Sequence, residues 1–171
     1  MGKALRIDRT DSRILAMVQD DCKISLEELA KRLGISKSAV RYRIKKLEND
    51  GAIEGYHATL GRARLGRNYI TVTLIEAKYG PGYHEKVGKR IASIPGVCAV
   101  YYVLGQYDFI AVTRSSDNSD FMQKLKRMMK MKGVEKTRTQ VVAEVIKEDP
   151  RIELRNPRLG SANMFHDTEG E

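Results

Sequence analysis

Residues 25 to 51, SLEELAKRLGISKSAVRYRIKKLENDG, contain two short amphipathic helices joined by Leu33-Gly34-Ile35-Ser36. In the first, Ser25 is placed to cap the backbone with Glu28 three residues on, and Leu26, Leu29, Ala30 and Leu33 form an apolar stripe. Gly34 stops that helix and Ser36 caps the next, in which Val40, Ile44 and Leu47 fall at i, i+4 and i+7 and so share one face. Between Ser36 and Leu47 lie five cationic side chains and no acidic one. Two helices this short gain stability by burying their stripes against each other. The second is then left with an unopposed basic face, the pattern of a DNA-reading helix-turn-helix.

At about 100° per residue from the apolar stripe, Ser38, Tyr42, Lys45 and Asn49 point outward, with Arg41 and Lys46 on the flanks. The N-terminal residues of such a helix meet base edges, while long cations farther along reach phosphates, which set register without reading sequence. Ser38, Arg41 and Tyr42 are therefore expected near bases, and Lys37, Arg43, Lys45 and Lys46 on phosphates. The capping Ser36 completes this DNA-facing set. The competing reading, a solvated basic face on an ordinary helical hairpin, requires capping, turn spacing and unopposed charge to coincide.

The rest of the chain narrows the class. A net charge of +9 favours a polyanionic partner, and 42% apolar residues over 171 positions are enough for real cores. No stretch approaches a membrane span, and the N-terminus lacks a secretory apolar core, so a cytoplasmic protein without membrane association is expected. Cys22 and Cys98 stand in separate segments and His57, His84 and His166 have no ligand spacing, so neither metal nor cofactor is expected. Without a phosphate loop, a nucleophile elbow or paired carboxylates, catalysis has no visible seat.

Two units are expected. Residues 8 to 20 read as a first helix, with Asp8 as cap, Asp11 at its third position and Ile14, Leu15 and Val18 facing inward; residues 52 to 60 read as a short strand after the helix pair. Together they give a winged-type helix-turn-helix domain over residues 1–60. GRARLGR at 61–67 reads as a linker. Over 68–148 the pattern is strand (69–77), helix (81–94), strand (97–103), strand (107–113), a helix capped by Asp117, and a last strand (137–146). This βαββαβ order is ferredoxin-like, making the whole an α+β protein. Both helices of that fold cover one sheet face, yet VCAVYYV and YITVTLI are apolar at odd and even positions alike, so a second copy of the sheet is expected on the other face. Residues 149–171 read as a mobile tail.

The ordered set Asp8-x-x-Asp11-x-x-Ile14-Leu15, Leu29-Ala30, Gly34-x-Ser36, Val40-x-x-Arg43-Ile44-x-x-Leu47-Glu48-x-x-Gly51-x-Ile53, Pro95-Gly96-Val97, Gly105-x-Tyr107-Asp108 and Gly133-Val134 resembles the Lrp/AsnC, or feast/famine, family of transcription regulators over residues 5–148. The resemblance implies a regulator of double-stranded DNA that forms a homodimer through its sheet, assembled further into tetramers or octamers, and that binds an amino acid or related small molecule between dimers. Carried over position by position, the effector site falls on Gly105, Gln106, Tyr107 and Asp108, joined by Thr137 and Thr139. A zwitterion needs a carboxylate for its ammonium and hydroxyls and N–H groups for its carboxylate, and Asp108 and the threonines offer these. The same residues also suit a plain β-hairpin, since Gly and Asp are common turn residues. One departure is Gly61-Arg62, where the family commonly has Asp-Pro.

A siroheme-decarboxylase-like enzyme shares this architecture, but a tetrapyrrole pocket favours histidines and arginines lining the sheet, and the one histidine of residues 68–148 is His84, on an expected helix. A nucleoid-organising protein with little sequence preference is a third reading, separated from a specific regulator by its ratio of specific to non-specific affinity. The expected function is a sequence-specific, effector-modulated DNA-binding regulator without enzymatic activity.

Overall fold

The computed structural model describes residues 5–154 and divides the chain into a unit formed by residues up to 58 with those from 149 on, and a second unit of residues 59–148.

In the first unit, α1 (Arg9–Asp20), α2 (Leu26–Leu33) and α3 (Lys37–Asn49) each start on a side-chain cap. Asp8 and Asp11 form a reciprocal capping box on α1, Ser25 Oγ accepts from Glu28 N at 3.1 Å, and Ser36 Oγ accepts from Ala39 N at 3.2 Å. Gly34 ends α2 at φ 70°, a left-handed conformation for which a residue without Cβ carries no penalty. Ile14, Leu15 and Leu47 are the buried centre, with Ile7, Val18, Leu33, Ile44 and Ile53 around them. The expected strand over 52–60 is absent: Ala52 and Ile53 donate to Leu47 O in closing α3, and the residues that follow pair with no other strand. A strand needs a neighbour for its backbone groups, and the described part of this unit contains no strand to supply one.

The tail is described only to Leu154, and that stretch lies on α1. Gln19 donates to Ile152 O at 3.1 Å and accepts from Ile152 N at 2.7 Å, Arg151 pairs with Asp20 at 2.8 Å, and Leu154 packs on the helical core. The remainder of the expected mobile tail, 155–171, lies outside the described residues.

The second unit has the order β1 (Tyr69–Ala77), α4 (Tyr83–Ala92), β2 (Val97–Tyr102), β3 (Phe109–Ser115), α5 (Asn118–Met129) and β4 (Val134–Val141). All neighbours in the sheet, β2-β3-β1-β4, are antiparallel, the ferredoxin-like arrangement. The last strand begins and ends earlier than expected, because VEKTRTQV carries almost no apolar alternation to mark it. Ile75, Ala77, Phe109 and Ala111 bury one sheet face against Val87 and Ile91 of α4 and Met128 of α5. Gly88 leaves room for the Phe109 ring, 3.1 Å from where a Cβ would sit. Val72, Leu74, Ile110 and Val112 alternate with those residues and occupy the opposite face, which no helix of the unit covers. The segment 61–67 turns on itself within this unit, where Arg67 pairs with Asp120 at 3.2 Å and Arg62 pairs with Glu148.

Candidate functional site

α3 presents two opposed faces. Val40 and Leu47 are buried, while Lys37, Ser38, Arg41, Tyr42 and Lys45 line one shallow open surface, with exposed Lys46 beside it. Tyr42 is 72% exposed, so its ring contributes little to the fold and is free to meet a ligand. Ser36 sits at the start of this surface, its hydroxyl shared between the cap and Ser38 Oγ at 3.0 Å. Lys37 pairs with Glu27 across the turn, and its ammonium holds that carboxyl below the usual range. The pair is exposed, and an ion pair in that setting contributes little to stability.

Arg43 is placed differently from the other cations. Its guanidinium turns inward, with Nη1 donating to Asp8 Oδ2 at 2.6 Å and to Asp11 Oδ1 at 2.7 Å. Both carboxylates belong to the capping box of α1, so one cation ties the start of α1 to the middle of α3. The Asp11 amide, bonded to the Asp8 carboxyl, does most to hold that group below its ordinary range, and Arg43 adds to the effect. Arg43, expected on phosphate, is in this structure engaged by two carboxylates of its own unit. The sequence showed both ends of these bonds, but a contact 35 residues apart leaves no periodic signal.

In the second unit Gly105, Gln106, Tyr107 and Asp108 follow one another in the β2–β3 connection. Asp108 is engaged on both oxygens: Oδ2 accepts from Ala77 N at 2.7 Å and Oδ1 accepts from Tyr83 Oη at 2.9 Å. Tyr83 Oη is in turn 3.1 Å from Tyr102 Oη, and their contact, with burial and the nearby Asp108, raises the Tyr83 phenol well above its usual range. Tyr79, Tyr83, His84 and Tyr102 form a chain of ring contacts here, ending on Phe109. This aromatic corner escaped sequence reasoning, since Tyr83 falls on the apolar face of α4 and Tyr102 faces Phe109 only through the strand register. Thr137 and Thr139 share a face, as the strand period requires, and pair with Ile75 and Thr73 on β1. That puts them on the helix-covered side, where Thr139 Oγ1 lies 3.0 Å from Thr73 Oγ1. The loop and the threonines therefore stand at the same end of one sheet, on either side of β1: Asp108 bonds to Ala77 N and Ile75 O of that strand, and Thr137 pairs with Ile75 from β4.

Among the described residues no group of His, Cys, Asp and Glu is arranged to hold a metal ion, and no helix is long and apolar enough to cross a membrane.

A family described as winged helix-turn-helix DNA-binding matches residues 7–54, and one described as Lrp/AsnC ligand binding domain matches residues 71–152. The chain is 35% identical over 147 residues to an uncharacterized HTH-type transcriptional regulator of Pyrococcus abyssi, covering 86% of this chain and 99% of that one. It is 31% identical over 151 residues to the leucine-responsive regulatory protein of Escherichia coli, covering 87% and 92%. Among solved structures, a transcriptional regulator in complex with L-Met from Neisseria meningitidis superposes with a TM-score of 0.81 at 21% identity, covering 87% of this chain and 97% of that one.

Proposed function

The chain belongs to the Lrp/AsnC family of transcription regulators, and from that premise we propose that it reads its operator through Ser38, Arg41 and Tyr42, anchors on phosphates through Lys37, Lys45 and Lys46, and answers to an amino acid or related small molecule. The observation that carries the DNA-reading part is the composition of the open face of α3: an unburied tyrosine, an arginine and two lysines side by side on a helix whose other face is locked into a three-helix core. Arginine bidentate to guanine and tyrosine against base edges or sugars supply the sequence reading, and the lysines supply salt-dependent affinity.

The effector reading is supported by the relatives that carry an amino acid in their names, a leucine-responsive protein and an L-Met complex. On this chain Gly105, Gln106, Tyr107 and Asp108 are the candidate effector residues, with Thr137 and Thr139 as partners. Asp108 already accepts two hydrogen bonds, so it addresses an ammonium with its remaining lone pairs while Ala77 N and Tyr83 Oη hold it in place. The uncovered sheet face of Val72, Leu74, Ile110 and Val112 supports a homodimer through that face, with further assembly into tetramers or octamers. The proposed protein is cytoplasmic and has no enzymatic activity.

Selection of bound fragments from the host's genomic DNA, with and without a panel of amino acids, tests the reading. Recovery of a shared palindromic site whose occupancy one amino acid changes is the expected result. Recovery of unrelated fragments in proportion to their abundance would sink the claim of sequence specificity and favour the nucleoid-organising reading.

A further inference from the structure

The positive charge of this protein is not where its helix-turn-helix is. Residues 59–148 hold 16 Lys and Arg against 8 Asp and Glu, whereas the helical unit, with both of its segments, holds 15 against 14. The +9 of the chain is therefore almost wholly the charge of the sheet unit.

Within that unit the excess gathers on the helical layer. Lys86 and Arg90 lie one turn apart on α4, and Lys126 and Lys130 lie one turn apart along α5 and its C-cap; all four are exposed. The turn that follows α5 packs on α4: Arg90 Nη1 lies 3.4 Å from Lys132 O, and a Cβ on Gly133 would sit 2.9 Å from the Val87 methyl. Lys78 joins them, its amide donating to Gly133 O at 2.9 Å. Among the described residues none of Lys78, Lys86, Arg90, Lys126, Lys130 and Lys132 pairs with a carboxylate, whereas Lys89 on the same helix pairs with Glu85 at 3.6 Å.

Two like-charge i,i+4 pairs on adjacent helices destabilise the isolated fold slightly, so their arrangement calls for a ligand that reverses the sign. We infer that the helical layer of the sheet unit is a second DNA-contacting surface, made of Lys86, Arg90, Lys126 and Lys130 with Lys78 and Lys132, which binds duplex phosphates without reading sequence. Duplex DNA is the occupant because the protein is a DNA-binding regulator and because dispersed, exposed cations suit a continuous row of phosphates. A small anion would instead require a converging, buried set of donors.

The test measures binding of the full-length protein to a mixed-sequence duplex of about 60 base pairs over about 50–200 mM salt, where each phosphate contact contributes about 0.9 to the slope of log K against log[salt]. Wild type is compared with Lys86→Gln/Arg90→Gln/Lys126→Gln/Lys130→Gln, and with Arg41→Ala/Lys45→Ala on α3. The quadruple variant is expected to lower the slope by about two to four per protomer, with thermal stability unchanged or raised because like charges have been removed. An unchanged slope would overturn the inference, and would do so with added force if the variant instead lost binding to an acidic polypeptide. If the quadruple variant melts early, Lys126→Gln/Lys130→Gln on α5 alone is expected to lower the slope by about two, and no decrease in that variant overturns the inference equally. The α3 variant separates the two surfaces: its failure to change DNA binding would count against the helix-turn-helix reading and leave this one intact.

Discussion

Replacing Arg43 by methionine removes a cation from the basic helix, yet the effect is expected on folding and not on phosphate binding. The methionine stem keeps much of the packing along α3 while both ion pairs disappear. The bond to Asp11, at 2.7 Å on a residue only 8% exposed, is worth about 1.5–2 kcal/mol as a charged hydrogen bond in a half-buried setting. The bond to Asp8, at 2.6 Å with that side chain 53% exposed, is discounted by solvent to below about 1 kcal/mol. Repulsion between the two carboxylates left facing each other brings the sum to about 2–3 kcal/mol. For a helical unit of this size, about 4–8 °C per kcal/mol, the transition should fall by roughly 10–20 °C in scanning calorimetry. Asp8 is held below its ordinary range in the folded state, so its share of the lock is complete above about pH 4 and is lost as pH falls through the depressed folded value; the difference between variant and wild type should shrink accordingly. The salt slope of DNA binding should stay as in wild type. A slope reduced by about one with an unchanged transition would show that Arg43 reaches phosphate after all.

Asp108→Asn should abolish any amino-acid response, read as the heat of effector binding in calorimetry, and should also lower the transition of the sheet unit by about 1 kcal/mol, because an amide accepts less strongly from Ala77 N and Tyr83 Oη; undiminished heat in the variant removes the residue from the effector site. Val112→Lys, on the uncovered sheet face, should yield a monomer in sedimentation at micromolar concentration, and a dimer as in wild type would place the subunit contact elsewhere. The Tyr56 phenol, pushed up to about 12 by burial and by its 2.8 Å bond to Glu48, should ionise well above the ordinary tyrosine range in an ultraviolet titration, and Tyr56→Phe should remove that late step; since its folded value exceeds the unfolded one, the contribution is complete below about pH 10 and fades between there and about 12.

The features legible in the sequence are those whose causes are local. Ser25 with Glu28, Gly34, and Ser36 with Ala39 act within one turn of chain, so the helix-turn-helix and its outward face could be read before any fold was known. Most of the βαββαβ order is legible for the same reason, since each element before β4 carries its own period. The rest depends on distant partners. Residues 52–60 have a strand-like composition but no neighbour to pair with, and β4 is a strand because β1 offers it an edge, despite a sequence of charges and threonines. Arg43 looks like every other cation of α3 until α1 is folded beside it. The aromatic corner at Asp108 and the basic layer over α4 and α5 likewise exist only once register and helix packing bring separate segments together.

The central claim is that α3 reads base sequence through Arg41 and Tyr42 and holds phosphate through Lys45. Its most direct trial is the ratio of affinities for a selected operator and for a mixed-sequence duplex of equal length, at one stated salt concentration, in wild type, Arg41→Ala, Tyr42→Ala and Lys45→Ala. Loss of a base contact worth about 1–3 kcal/mol should cut the ratio by roughly 5- to 150-fold in the first two variants. In Lys45→Ala the ratio should hold while both affinities fall and the salt slope drops by about one. A ratio unchanged in Arg41→Ala and Tyr42→Ala, or reduced only in Lys45→Ala, would contradict the assignment of this face to sequence reading.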